Sequence, residues 1–149
     1  MIELIATFGI TVTSVLLFGY WFRYTCMLIL SAKTAGNFAL DVATANQLGF
    51  VSAQMQLGDN EGNLTELRRS LEHDYSVLCR LLEETSNIAR EDSRFEQVML
   101  GLHYRVTGVW ASMIAPLSPA ASRKALQEMA TVVSHFADCF GERLAYSAQ

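Results

Sequence analysis

The sequence predicts an all-α protein in which a single N-terminal transmembrane helix leads into an antiparallel bundle of about four helices. No charged residue occurs from Leu4 to Phe22, and about 18 consecutive apolar residues are enough to cross a bilayer as a helix. Later in the chain, apolar residues recur every three or four positions, the period of an amphipathic helix. No long segment outside the anchor alternates with the period of a strand. We therefore divide the chain into an anchor with its juxtamembrane segment, residues 1–30, and a soluble helical bundle, residues 31–149.

The residues at the end of the apolar run predict where the anchor meets the membrane surface. Tyr20, Trp21 and Tyr24 surround Arg23, and aromatic rings with a polar tip favour the headgroup level. A cleaved signal peptide would need a basic start and a shorter apolar core, whereas this chain begins with Glu3 and no base. We expect an uncleaved, single-pass anchor.

The distribution of basic residues predicts the orientation. Arg23 and Lys33 are the basic residues nearest the span, and both follow its apolar core. The positive-inside rule then places the N-terminus outside and the C-terminal bundle in the cytoplasm, at a plasma (inner) membrane.

Three hydroxyl side chains fall on one side of the anchor helix. Thr7, Thr11 and Ser14 are spaced i, i+4 and i+7. Small and hydroxylated faces let a second membrane helix approach closely and hydrogen-bond. The alternative is that these hydroxyls bond to carbonyls of their own helix. We interpret the three residues as a helix-contact face.

Capping and breaking residues divide the rest of the chain. Residues 31–57 are expected to form one helix, with Gly36 and Gly49 weakening its continuity. A turn is expected at 58–62, followed by a helix that Asn63 caps and that ends at 85–87. Ser93 is the expected cap of the next helix, which Pro116 ends. Ser118 and Pro119 open the last helix.

Each of these helices has an apolar stripe that we expect to face the core. The first is Phe38, Val42, Ala45, Leu48, Val51 and Met55. The second is Leu64, Leu67, Leu71, Tyr75, Leu78 and Leu82. The third is Phe95, Val98, Leu102, Val106, Val109 and Met113, widened by Met99 and Trp110. The fourth is Leu126, Met129, Val133, Phe136, Phe140 and Leu144.

The sequence offers little that indicates catalysis. Three histidines each follow a glutamate by seven residues: Glu66/His73, Glu96/His103 and Glu128/His135. That spacing leaves the partners about 10 Å apart along a helix, whereas di-iron bundles use Glu-x-x-His. Glu72-His73-Asp74 is expected to lie on a solvated face. No phosphate loop, nucleophile elbow or zinc motif occurs in the sequence, so we predict no catalytic, cofactor-binding or metal-binding residue and no enzyme.

Composition limits the partners further. Eleven basic and fifteen acidic side chains give a net charge of −4. Setting aside Glu3, Arg23 and Lys33 leaves nine bases and fourteen acids in residues 34–149, a net charge of −5. An acidic domain binds phosphate backbones poorly, so nucleic acid is not an expected partner. Cys26, Cys79 and Cys139 have no paired spacing and are expected to be reduced thiols.

These expectations favour a non-catalytic interaction protein. Its partners would be the lipid bilayer and either other membrane-protein subunits or further copies of itself, with the chain acting as an accessory or scaffold subunit. The alternative is a membrane-tethered sensor or regulatory bundle that binds a small apolar ligand between its helices.

Overall fold

A computed structural model describes residues 1–32, 37–59, 62–85 and 91–148. These residues form six helices and contain no strand, so the all-α fold is confirmed. The chain divides into two compact units, Met1–Ala32 and Lys33–Gln149.

The first unit is one continuous helix, α1 (Ile2–Ser31). It is long and apolar enough to span a membrane, and none of its most apolar 18-residue window is buried within the protein. The helix ends where Ala32 adopts an extended backbone, with ψ at 122°.

The second unit begins with two short helices, α2 (Ala39–Ala45) and α3 (Phe50–Gly58). The expectation of one helix over 31–57 is therefore wrong; residues 33–36, including Gly36, lie outside the described ranges. The break follows Asn46. Gln47 takes a left-handed backbone with φ at 53°, a conformation that interrupts a right-handed helix. Gly49 then precedes the first residue of α3.

Three longer helices follow: α4 (Leu64–Glu84), α5 (Glu91–Ile114) and α6 (Pro119–Ser147). Asn63 caps α4 as predicted, its side-chain oxygen accepting from the Thr65 N–H at 3.0 Å. Ser118 caps α6, and Pro119 is its first residue. The predicted start of α5 is wrong, because that helix begins two residues before Ser93. Residues 60 and 61 of the predicted turn, and residues 86 and 87 of the predicted helix end, lie outside the described residues.

The α6 helix is the centre of the bundle and packs against α2, α3, α4 and α5. It is buried on several sides, including Ala125, Ala130, Val132 and Ala137 in addition to its predicted stripe. A helix that is apolar around most of its circumference belongs inside a bundle. Hydrogen bonds tie the short helices to it: Ala39 N–H donates to Asp138 at 2.7 Å, and Gln127 donates to the Leu57 carbonyl at 3.1 Å.

Side-chain pairs give the directions of the long helices. Arg68 and Tyr75 of α4 contact Ser112 and Tyr104 of α5 respectively, so these two helices are antiparallel. Ser122 at the start of α6 bonds to Ala111 near the end of α5, so α5 and α6 are antiparallel as well. The arrangement confirms the predicted antiparallel bundle.

The predicted core stripes are right for two helices and wrong for a third. Leu67, Leu71, Leu78 and Leu82 of α4 are buried, as are five of the six residues predicted for α6. In α5, however, all six residues of the predicted stripe are exposed. The residues that α5 buries instead are Leu100, His103, Tyr104, Thr107 and Ala111.

The acidic run on α4 also differs from its expectation. Glu72 and His73 are exposed, but Asp74 is only 2% exposed. Asp74 lies three residues after Leu71 and four before Leu78, so it occupies the buried side of the helix. One of its carboxylate oxygens lies 3.3 Å from Nδ1 of His73.

Candidate functional site

The most unusual surface of the bundle is the outward side of α5. We call it the α5 face; its residues are Phe95, Val98, Leu102, Val106, Val109 and Met113, each between 53% and 70% exposed. Their spacing of 3, 4, 4, 3 and 4 follows an eleven-residue repeat, which favours a right-handed supercoil. Phe95 and Met113 are about 27 Å apart along the axis. Trp110 beside this face is also exposed.

The side of α5 that faces α6 mixes large and small residues. Its buried members include Leu100, Tyr104, Gly108 and Ala111. A Cβ added at Gly108 would be in ordinary contact with the Met129 side chain of α6, at 3.4 Å. The Ser122 hydroxyl donates to the Ala111 carbonyl at 3.0 Å in a buried position. Because this side packs on α6, the stripe of six larger apolar side chains faces solvent.

A cleft separates α4 from α5 at one end of the bundle. Both helices pack on α6, and no extensive direct packing joins α4 to α5 within the described residues. The Tyr75 and Tyr104 rings stack across the gap, with centroids 4.0 Å apart. Gly101 makes room for this arrangement, because a Cβ there would meet the Tyr75 hydroxyl at 2.9 Å. The cleft has a volume of about 660 Å³, within the range of about 300–1,000 Å³ typical of small-molecule sites.

The lining of the cleft combines apolar side chains with positive charge. Its apolar surface includes Leu82, Val98, Leu102 and Phe136. Its charged and amide side chains are Glu83, Arg94, Gln97, Arg105 and Arg143. With three guanidinium groups and one carboxylate, the cleft is locally positive, whereas the unit as a whole has a net negative charge.

Tyr75 and Cys79 also line the cleft, and because both are uncharged they do not offset its positive charge. Burial raises the pKa of the Tyr75 phenol, and its hydrogen bond with Cys79 raises it further. Burial likewise raises the pKa of the Cys79 thiol, against the opposing effect of Arg105. Both groups are therefore uncharged near pH 7.

One arginine of the cleft is built into the bundle. Arg143 is 9% exposed and donates to the Leu82 carbonyl at 3.1 Å, near the C-terminal end of α4. Burial lowers the pKa of this guanidinium, and nearby Arg94 lowers it further. Arg94 and Arg105 are exposed, and neither forms an ion pair with another side chain that the structure describes.

The residues predicted to contact lipid or another membrane helix all lie on α1. The hydroxyls of Thr7 and Thr11 donate to the carbonyls four residues earlier, at 2.8 Å each. Ser14 is exposed and shares their side of the helix. Tyr20, Trp21 and Tyr24 are more than half exposed, and Arg23 is exposed beside them. The helix-contact and interface roles of these residues stay predictions.

The bundle brings one histidine close to a glutamate of another helix. His103 Nε2 of α5 lies 4.0 Å from an oxygen of Glu128 on α6. In the described part of the chain, no three or more His, Cys, Asp or Glu side chains form a group that could hold a metal ion. Cys79 and Cys139 are free thiols.

Arg94, Arg105 and Arg143 of the cleft are functional-site candidates that were not predicted from the sequence. Arg94, Val98, Leu102 and Arg105 are spaced 4, 4 and 3 residues apart, which already places them along one side of α5. Nothing in the sequence indicated that this side would border a gap, or that Arg143 of α6 would line the same gap.

The sequence matches no protein-family model and no curated protein, and the fold matches no solved structure.

Proposed function

We propose that this chain is a non-catalytic, single-pass membrane protein whose bundle binds another protein, as an accessory or scaffold subunit of a membrane complex. The α5 face is the observation that carries the proposal. Water in contact with apolar surface costs about 25 cal/mol per Å², and contiguous exposed apolar patches mark interaction sites. A second helix with an apolar stripe of its own, laid along the α5 face, would remove both apolar surfaces from water.

The chemistry of the α5 face indicates the kind of helix that would bind. The partner needs an apolar stripe that follows the same eleven-residue repeat, since six large side chains are available along about 27 Å. Arg94 and Arg105 border the face on the side of α4. Acidic side chains on the facing edge of the partner helix would complement them.

Co-purification tests this function. The full-length chain, tagged at its C-terminus and extracted in a mild non-ionic detergent, should elute in a particle that contains other proteins. Val109→Glu places a charge in the C-terminal half of the α5 face, at a residue that does not line the cleft, and it should reduce the recovered partner at least tenfold. Gln54→Glu adds the same charge to an exposed polar position of α3 and should leave recovery unchanged.

Three results of that experiment would differ in meaning. Partner chains that Val109→Glu releases would support an accessory subunit. A particle of identical copies that Val109→Glu dissociates would support a scaffold built by self-association. A wild-type monomer, or recovery that Val109→Glu does not change, would contradict the role of the α5 face.

We also propose that α1 crosses a plasma (inner) membrane with its N-terminus outside and the bundle in the cytoplasm. Arg23 and Lys33 on the C-terminal side of the apolar core support this orientation. A C-terminal green fluorescent protein fusion should fluoresce, while a C-terminal alkaline phosphatase fusion should be inactive. The opposite pair of results would reverse the orientation.

The in-membrane contact has its own test. Replacing Thr7, Thr11 and Ser14 together by Leu keeps α1 apolar but removes the small, hydroxylated side. We expect less co-purified partner from this variant, because close helix approach in lipid depends on small residues. Ile5, Val12 and Leu16 replaced together by Ala provide the control on other sides of the helix. Equal recovery from both variants would remove the Thr7/Thr11/Ser14 side from the proposal.

The cleft supports a second candidate function, a membrane-tethered sensor or regulatory bundle. Its apolar lining and its volume suit a small ligand. A ligand bound there would contact α4, α5 and α6 at once, so it would stabilise the folded bundle by an amount that rises with the logarithm of ligand concentration above its Kd.

A further inference from the structure

The cleft holds an uneven set of charges for an acidic bundle. Two arginines of α4 form ion pairs within their own helix, Arg68–Glu72 at 2.7 Å and Arg80–Glu84 at 3.8 Å. Arg94 and Arg105 lack such a neighbour among the described side chains, although both line the same cavity. The two residues are eleven positions apart on α5, about 16 Å along the helix, so an anion bound between them would supply a counter-charge that the described side chains do not.

An amide in the same cleft lacks an acceptor. The Nε2 atom of Gln97 is buried and makes no hydrogen bond to any residue that the structure describes. A buried donor left unpaired destabilises the folded protein. A ligand oxygen in the cleft would pair with this N–H, and the guanidinium groups on either side favour an oxygen that carries negative charge.

The apolar lining indicates the remainder of the ligand. Val98 and Leu102 form one wall, and Phe136 belongs to the floor that α6 provides. An inorganic anion alone would leave these side chains in contact with water. A ligand with an apolar body attached to its charged group covers them.

From these three features we propose that the cleft binds an anionic amphiphile, whose charged oxygens contact Arg94, Arg105 and Gln97 and whose apolar body packs on Val98, Leu102 and Phe136. This inference rests on the second candidate function and replaces its purely apolar ligand by an acidic one. Val98 and Leu102 belong to both the cleft and the α5 face, so the two binding events are tested by variants that do not share residues.

A matched pair of fluorescent probes tests the inference. The full-length chain is placed in phosphatidylcholine nanodiscs and titrated with 8-anilinonaphthalene-1-sulfonate, an aromatic anion, and with N-phenyl-1-naphthylamine, the same ring system without the sulfonate. Discs without protein supply the background. We expect the anion to bind once per chain and at least tenfold more tightly than the neutral probe.

Arginine variants assign that binding to the cleft. The double variant Arg94→Gln/Arg105→Gln should weaken the anion at least tenfold and change the neutral probe less than twofold. The Arg94→Lys/Arg105→Lys variant keeps the charge and should retain most of the affinity. Arg69→Gln/Arg80→Gln removes two exposed arginines of α4 outside the cleft and should bind like the wild type.

Each remaining result has one meaning. Equal affinity for the two probes, or an anion affinity that the double glutamine variant does not change, would overturn the inference while leaving an apolar ligand possible. Failure of both probes to bind would overturn the second candidate function as well. Neither result bears on the α5 face, which Val109→Glu tests separately.

Competition identifies the source of the natural ligand. Displacement of the bound anion by dodecanoate added to the solution would indicate a free amphiphile. Displacement only after phosphatidylglycerol is included in the disc would indicate a lipid headgroup. Both results support the shared chemistry of an acidic group on an apolar body.

Discussion

Gly141 illustrates how one residue decides whether two elements can pack. It lies on α6 where Phe38 precedes α2, and a Cβ added there would overlap the Phe38 Cβ. Real atoms do not approach so closely, so the backbone of Phe38 would have to move. The sequence offers no hint of this requirement, because Gly141 lies within an otherwise ordinary helical pattern.

Gly141→Ala should therefore destabilise the bundle by about 1–3 kcal/mol, the usual cost of overpacking. The urea midpoint of the full-length protein in detergent, followed by circular dichroism, measures the effect. Gly58→Ala is the matched control, because a Cβ at Gly58 meets nothing within 4 Å. An unchanged midpoint for Gly141→Ala would show that α2 does not pack against α6 in this way.

Cys139 provides a second test at the scale of a single residue. Burial raises the pKa of its thiol to about 11, and only the thiolate reacts with alkylating agents. At pH 8 the thiolate fraction should be about 100-fold below that of a thiol with a pKa of 9. Alkylation of Cys139 by iodoacetamide, followed by mass spectrometry, should be slow at pH 8 and accelerate about tenfold per pH unit up to pH 10. Rapid alkylation of the folded protein at pH 8 would contradict the burial of this side chain.

At the scale of the element, α5 shows the limit of reading a helix by its apolar period. The periodicity identified a helix correctly, and its large apolar residues were assigned to the core. The helix instead buries a face that includes Thr107, Gly108 and Ala111. Both sides of α5 carry enough small or apolar residues to pack, and the choice between them depends on the shape of α6. In α4, by contrast, the opposite side is charged, so only one orientation was available.

Two leucines on α5 test this orientation directly. Leu100 is 1% exposed and Leu102 is 53% exposed. Leu100→Ala should lower the free energy of unfolding by about 2–5 kcal/mol, because it leaves a cavity. Leu102→Ala should change it by about 0.5 kcal/mol or less, as for other surface substitutions. The comparison uses urea unfolding of the purified protein; larger destabilisation by Leu102→Ala would restore the predicted stripe as the core.

The division of residues 31–57 into two helices is a further example at this scale. Ala-rich composition favoured one helix, yet the chain must turn between α2 and α3 for both to reach α6. Gln47 accepts a left-handed backbone at that turn. The contacts of α2 and α3 with α6 supply the compensating free energy, and these contacts involve residues about 70 to 100 positions away.

At the scale of the whole molecule, stability should depend on pH through His135. Burial lowers the pKa of its imidazole below the ordinary 6.5, although Glu96, Asp138 and Glu142 oppose the shift. The unfolded chain then takes up a proton at a higher pH than the folded one does. The contribution of neutral His135 to stability is therefore present above about pH 6.5 and is lost as the pH falls below it.

Urea unfolding at pH 7.5 and pH 5 measures this dependence. The wild type should lose more stability between the two pH values than His135→Gln, which has no proton to gain. Gln54→Ala at an exposed position of α3 is the control and should follow the wild type, because it removes no titratable group. A loss that is equal for the wild type and His135→Gln would assign the pH dependence to other groups.

The sequence by itself determined the all-α class, the long apolar N-terminal helix, the caps of α4 and α6 and the buried stripes of those two helices. These features depend on neighbours within about one or two helical turns, which a sequence pattern contains. Only the tertiary structure decided which side of α5 is buried, where the first helical region divides and that three arginines from two helices border one cleft. Those outcomes depend on packing between residues that are far apart in the chain. At those contacts the fit of each helix against α6 outweighs the preference that its own sequence pattern expresses.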